Sequence, residues 1–310
     1  MSKTAFMFPG QGAQYVGMGK DFFDNSENCR KVFEKAEEVT GLKISDICFE
    51  ENEDINKTEF TQIALLTTEC AMLEAVLEKG VKADVTLGLS LGEYGALAAS
   101  NVMSMEDAFK VVRNRGIFME QAVPAGIGAM AAVLGLDANV IEDVLSEISA
   151  DNAVVEIANY NCPGQIVISG EKQAVENAAQ KLKEAGAKRV VMLNVSGPFH
   201  SSMLKPAGDK LKSVLDDVEI NEITIPYVAN VTADYVTSKE NVKELLIKQV
   251  YSSVRFEQSV RKLIEDGVDT FIEIGPGRTL SSFVKKISRD VNVINIEKYE
   301  DLSKLDLVDA

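Results

Sequence analysis

The stretch that most constrains this chain is Val85-Thr86-Leu87-Gly88-Leu89-Ser90-Leu91-Gly92-Glu93-Tyr94, followed by the small residues Gly95, Ala96, Leu97, Ala98 and Ala99. An apolar strand enters a G-x-S-x-G turn and leaves it as a helix. Strand, glycine-flanked serine, helix is the order of a nucleophile elbow. Two glycines let strand and helix close around a tight turn, which leaves the Ser90 hydroxyl projecting from its tip. The first N–H groups of the helix point at the same spot, where an oxyanion can be held. The same pattern also serves as a plain βα turn, so the rest of the chain has to decide between the two.

Thr4 to Phe8 reads as a short strand that breaks at Pro9-Gly10-Gln11-Gly12. Such a loop exposes backbone N–H groups and can form half of an oxyanion hole. It lacks the spacing of a nucleotide-binding fingerprint. Residues 21–40 read as one polar helix. Phe60 to Lys79 reads as a longer helix, with Ile63, Leu66, Cys70, Leu73 and Leu77 on one face and Gly80 as C-cap. After a joint at Pro124–Gly128 come a strand (129–134), a helix (139–148), two strands (154–160 and 165–169), a helix (174–185) and a strand (189–195). That β-α-β-β-α-β order is the ferredoxin-like split unit, left near Gly197-Pro198. Beyond it the pattern gives a strand over 223–231, helices over 239–249 and 256–265, a strand over 269–274, a helix over 279–287 and a strand over 291–296. The acidic tail after that reads as frayed. Strands alternate with helices on both sides of the insertion, which predicts a mostly parallel sheet. The expected division is therefore a large α/β unit from 1–124 and 198–310, with a small unit at 125–197.

Two residues carry chemical information beyond the elbow. Ser104 starts a helix as N-cap, and Ala108, Val111, Val112, Met119 and Ala122 fall on one face of it with Arg115 inside the stripe. A guanidinium on a core-facing stripe needs a partner, either one of the acidic residues of the chain or the carboxylate of a substrate. His200 is the only histidine, hence the one ready general base near neutral pH, and it lies at the exit of the inserted unit. Four scattered cysteines without C-x-x-C spacing read as reduced core thiols, with no metal site. A net charge of −16 argues against nucleic acid. There is no signal-like start, and no run of about 18 apolar residues suited to a membrane, so the expectation is a cytoplasmic protein.

Six segments occur in order: Phe8-Pro9-Gly10-Gln11-Gly12-Ala13-Gln14, Gly88-Leu89-Ser90-Leu91-Gly92-Glu93, Arg115-Gly116, Asn161-Cys162-Pro163-Gly164-Gln165, Phe199-His200 and Glu273-Ile274-Gly275-Pro276-Gly277. Together they resemble the malonyl-CoA:acyl carrier protein transacylases of bacterial fatty acid synthesis, over nearly the full chain. The resemblance implies an α/β-hydrolase-like core with an inserted ferredoxin-like subdomain. It implies Ser90 as the acyl-accepting nucleophile, His200 as its base, and the main-chain carbonyl of Gln249 as the group orienting the imidazole. Backbone N–H groups of Gln11 and Leu91 would form the oxyanion hole, and Arg115 would hold the malonyl carboxylate. The implied partners are malonyl-CoA and acyl carrier protein, with no cofactor, metal or nucleic acid; the protein is read as a monomer. Leu89 departs from the family's usual His, and Thr61-Gln62-Ile63 from its Thr-Gln-Pro. A discrete acyltransferase serving a polyketide synthase and a serine hydrolase or esterase stand as alternatives. Lys188 with Arg189, and Lys285 with Lys286, are candidate basic contacts for an acidic carrier.

Overall fold

A computed structural model describes residues 2–150 and 152–307. Its ten strands in chain order are β1 (Lys3–Phe8), β2 (Val85–Gly88), β3 (Gly128–Leu134), β4 (Val155–Cys162), β5 (Gln165–Glu171), β6 (Arg189–Met192), β7 (Tyr227–Ala229), β8 (Asp234–Val236), β9 (Val268–Ile274) and β10 (Asn292–Ile296). Six of them form one sheet in the order β10-β9-β1-β2-β7-β8. The pairs β10–β9, β9–β1, β1–β2 and β2–β7 are parallel, and β8 returns antiparallel on β7. β2 is buried along its whole length between covering helices, and its one polar side chain, Thr86, donates its hydroxyl to the Ala96 carbonyl (3.0 Å). The fold is thus mixed α/β with a mainly parallel sheet. The parallel pairing of β1 with β2, Phe8 opposite Gly88, places the C-terminal ends of the two strands side by side. An open parallel sheet offers its ligand crevice there.

The remaining four strands make a separate antiparallel sheet, in the order β4-β5-β3-β6, with the helices Ala138–Ser149 and Lys172–Glu184 packed on it. It has its own apolar core around Ile141, Ile157, Ile168 and Leu182. One edge is stitched to the larger body by backbone bonds: Val254 N–H donates to the Ala158 carbonyl (2.8 Å) and Tyr160 N–H to the Val254 carbonyl (2.9 Å). The cleft between the two sheets therefore has a fixed wall.

Several elements differ from expectation, each for a local reason. The polar helix read over 21–40 is two, Lys20–Asn25 and Glu27–Thr40. Ser26 breaks it and caps the second, its side chain accepting from Cys29 N–H. The helix Thr58–Glu78 is buried on nearly every side rather than along one stripe, and Leu77, expected in that stripe, is exposed. It is long and apolar enough to cross a membrane, but it is the central core helix of this fold. The strand expected over 223–231 shrinks to Tyr227–Ala229 behind Pro226. The hairpin strand β8, the helix Ile44–Phe49 and the helix Lys205–Asp216 were not expected at all. The tail is not frayed through 307. It forms a 3₁₀ turn, Tyr299–Leu307, whose Leu302 and Leu305 are buried and whose Tyr299 ring meets Phe22 edge-on. All four cysteines are buried and free.

Candidate active site

Ser90 sits between β2 and the helix Gly92–Ala99 with φ +56°, in the left-handed region that a non-glycine residue occupies only under constraint. The glycines beside it explain how the turn can be so tight. A methyl group on Gly92 would lie 2.0 Å from the Phe8 carbonyl oxygen, and one on Gly88 2.0 Å from Gly92. The turn is held by hydrogen bonds as well. Ser90 N–H donates to Asn230 Oδ1 (2.7 Å), Asn230 Nδ2 donates to the Gly88 carbonyl (2.6 Å), and Gln249 Nε2 donates to the Ser90 carbonyl (2.7 Å).

His200, also at positive φ (+59°), reaches the elbow from the loop leaving the small sheet. Its Nε2 lies 2.7 Å from Ser90 Oγ and its Nδ1 2.8 Å from the main-chain oxygen of Gln249. A carbonyl only accepts, so Nδ1 carries the proton and Nε2 is left as acceptor for the serine hydroxyl. Burial, and then the nearby Arg115 charge, push the His200 pKa down to about 4, so the imidazole is neutral at physiological pH.

Arg115 is fully buried on the helix Met105–Gln121, which Ser104 caps by accepting from Asp107 N–H. Of the two partners the sequence leaves open, an acidic side chain is not the one present: among the described residues Arg115 forms no ion pair. Its neighbours Arg113 and Asn114 do point elsewhere, Arg113 to Glu59 at 3.2 Å. Arg115 Nη1 donates to Gln62 Oε1 (2.6 Å), and Nη2 to Gln249 Oε1 (2.9 Å) and to Ser90 Oγ (3.2 Å). Its Nε is buried and has no hydrogen-bond partner among the described residues. Nε and Nη2 share one edge of the guanidinium, the edge with which arginine grips a carboxylate in two hydrogen bonds. Tyr94 packs its ring 5.7 Å from the guanidinium carbon. Glu93 lies buried below, where loss of solvent raises its pKa to about 7 against the lowering effect of bonds from Gln249 and Asn230 and of the Arg115 charge.

Gln11 and Leu91 both line the cleft, a cavity of about 620 Å³ between the two sheets. Neither of their N–H groups donates to another group among the described residues. Ser90, His200, Leu89, Phe199, Asn161 and Gln165 line the same cavity. Lys286 donates to Gln165 Oε1 (3.2 Å), whereas the Lys188 side chain folds against Gly135. Of the residues singled out from the sequence, Gln11, Ser90, Leu91 and His200 thus line one cleft, while Arg115 and Gln249 are bonded to Ser90 and His200 from the buried side. Sequence reasoning missed the amides of Asn230, Gln62 and Gln249 that brace it. Only Gln62 carried a signal, its place in the Thr61-Gln62-Ile63 segment.

Residues 5–305 match the family described as the acyl transferase domain. The chain is 50% identical over 303 residues to a protein of Bacillus subtilis (strain 168) named malonyl CoA-acyl carrier protein transacylase, with 97% of this chain and 96% of that one covered. A protein of Staphylococcus aureus (strain N315) with the same name is 46% identical over 303 residues, covering 97% and 98%. The solved malonyl CoA-acyl carrier protein transacylase of Clostridium perfringens superposes with a TM-score of 0.95 at 47% identity, over 99% of this chain and 98% of that one. A solved complex described as a type II PKS acyl-carrier protein with its malonyl-transacylase matches at a TM-score of 0.94 and 37% identity, over 98% of each chain.

Proposed function

The chain belongs to the acyl transferase family, and from that premise we propose that it moves the malonyl group of malonyl-CoA onto the phosphopantetheine thiol of acyl carrier protein through a malonyl-Ser90 intermediate. One observation carries the reading: Ser90 Oγ is within hydrogen-bond distance of both His200 Nε2 (2.7 Å) and Arg115 Nη2 (3.2 Å). Nucleophile, base and anion-binding cation meet at a single oxygen. A serine esterase needs the first two and gives the buried cation no role.

In the first half-reaction His200 Nε2 takes the Ser90 proton as Oγ attacks the thioester carbon. The oxyanion is received by the N–H groups of Gln11 and Leu91. Collapse breaks the C–S bond, and the CoA sulfur takes the proton from His200 and leaves as the thiol, which returns the imidazole to its neutral form. In the second, His200 takes the proton of the carrier thiol, the sulfur attacks the malonyl ester, and the proton returns to Ser90 Oγ as the C–O bond breaks. The Gln249 carbonyl keeps the imidazole in the required tautomer throughout, as an acid does in a hydrolase triad. Arg115 receives the malonyl carboxylate on its Nε/Nη2 edge once Oγ is acylated.

The division into a large unit (1–124 with 198–310) and a small one (125–197) belongs to the same proposal, supported by the separate second sheet and its core. So does a cytoplasmic monomer without nucleic-acid or membrane partners, of which the acidic balance of −16 supports the absence of a nucleic-acid partner. The likeness to the PKS complex keeps a second carrier in view. The test is incubation with malonyl-CoA followed by peptide mass analysis. One malonyl group is expected on the peptide holding Ser90 and none in Ser90→Ala; the label should then pass to added holo carrier. An unlabelled native protein would refute the reading. Parallel transfer to fatty-acid and PKS carriers distinguishes the two partners.

A further inference from the structure

The side chain of Gln249 makes contacts that the reaction as written does not use. Gln249 ends the helix Val242–Gln249 and is fully buried. Its main-chain oxygen serves His200. Its amide faces the other way: Oε1 accepts from Arg115 Nη2 (2.9 Å), while Nε2 donates to Glu93 Oε2 (2.8 Å) and to the Ser90 carbonyl (2.7 Å). Each end meets a group of opposite polarity. The orientation is unambiguous, since a flip would set donor against guanidinium and acceptor against two oxygens.

The amide therefore lies between a buried cation and a buried carboxylate that have no direct bond. An ion pair closed in so dry a place would be strong and would occupy the guanidinium. We propose that the side-chain amide of Gln249 is a positioning and specificity-determining residue: it binds Arg115 by its oxygen and Glu93 by its nitrogen, keeps the two charges apart, and so leaves the guanidinium free for the carboxylate of the incoming acyl group. This rests on the reading of Arg115 as the carboxylate-binding cation. Acyl groups without a carboxylate gain nothing from the arrangement.

Side-chain substitution separates this role from the orienting of His200, because the main-chain oxygen stays. Gln249→Met keeps length and removes both amide ends. Gln249→Glu keeps an oxygen for Arg115 but brings in the competing charge. Both are assayed for Ser90 acylation by malonyl-CoA and by acetyl-CoA, across pH. Loss of one hydrogen bond to a charged group corresponds to about a 10- to 100-fold fall in malonyl kcat/KM for the Met variant. The fall should come chiefly through KM, be at least about tenfold larger than that for acetyl, and leave the acid limb of the pH profile in place. The Glu variant should lose malonyl transfer further, relative to acetyl, and carries the test alone if the Met variant does not fold. Equal losses for both acyl groups, or an undiminished malonyl rate, would overturn the proposal. Failure of the underlying reading looks different: the native protein itself would then take acetyl as readily as malonyl.

Discussion

Replacing Arg115 with alanine tests the central claim most directly. In the resting site the guanidinium is held by Gln62 Oε1 at 2.6 Å and Gln249 Oε1 at 2.9 Å, and it touches Ser90 Oγ at 3.2 Å. A malonyl carboxylate on the Nε/Nη2 edge would accept two charge-assisted hydrogen bonds, one from Nε and one from the Nη2 N–H that rests on Ser90 Oγ, each about 1.5–3 kcal/mol. Together they amount to about 3–6 kcal/mol, or roughly a 10²- to 10⁴-fold fall in malonyl kcat/KM when they are removed. Acetyl-CoA forms neither bond. Its acylation should change little, or improve as the desolvated charge disappears, so the preference should collapse or invert. The substitution also orphans two buried amide oxygens and removes the cation beside Glu93, so a lower Tm is expected; the rate ratio is insensitive to that. Quenched-flow acylation read by intact mass, with malonyl-CoA and acetyl-CoA in parallel, gives both numbers. Unchanged malonyl kinetics, or equal losses for the two substrates, would refute the argument.

Two further predictions concern buried titrating groups. Because burial and Arg115 hold His200 at about 4, the acid limb of Ser90 acylation should fall well below the ordinary histidine value of 6.5. Above about 4 the folded imidazole stays neutral while the unfolded chain's histidine takes a proton below about 6.5. The His200 contribution to stability is therefore complete above that unfolded value and is lost as pH falls towards 4. Urea unfolding between pH 7 and 4.5 should show native protein losing more stability than His200→Ala; equal losses would contradict the shift. The second group is Glu69, buried in the core helix with neither carboxylate oxygen partnered and with its pKa raised well above 4.5 by burial and then by Glu273. A raised folded-state pKa means stability is lost as pH rises through it. Glu69→Met should thus stabilise the fold by about 1–3 kcal/mol near neutral pH, and by more at alkaline pH, in urea midpoints. A destabilised variant at pH 8 would show that the carboxylate has a stabilising role.

What could be read from the sequence depended on whether the constraint was local. The elbow was legible because G-x-S-x-G after an apolar run is a steric requirement of ten residues. Arg115 was legible because helical periodicity marks a face, and a charge on that face stands out. His200 needed no pattern, only its being single. The bracing amides Asn230 and the side chain of Gln249 were not legible: each acts across more than a hundred residues on Ser90 or Arg115, and an isolated Asn or Gln has no period. The orienting oxygen of Gln249 is a main-chain atom, which any residue type supplies, so only the family resemblance pointed to it. In the fold, long periodic elements such as Phe256–Glu265 and Thr279–Ile287 came out with their ends in place. Most misses were short or edge elements, where packing rather than propensity decides; the twelve-residue helix Lys205–Asp216 is the exception. The tail is the clearest case: its acidic composition reads as solvated, but Leu302 and Leu305, three apart, are enough to seat it.

The choice of a carbonyl rather than an acid behind His200 follows from the same site. A carboxylate at Nδ1 would raise the imidazole pKa and stabilise the imidazolium, as it does in hydrolases. Here a guanidinium must remain within hydrogen-bond distance of the nucleophile and open to a substrate anion. A second acidic side chain in that volume would compete for it. The buried acid that is present, Glu93, is bound through the Gln249 amide and has a pKa near 7, so its charge is partly extinguished at neutral pH. A neutral oxygen orients His200 without adding to this account, at the cost of a weaker base. That cost is tolerable because the first half-reaction attacks an activated thioester, and the nucleophile of the second, a thiol, gives up its proton more readily than water or an alcohol does. On this argument the neutral orienter and the buried arginine are one feature. Substituting an Asp near Nδ1 should depress malonyl transfer more than acetyl transfer.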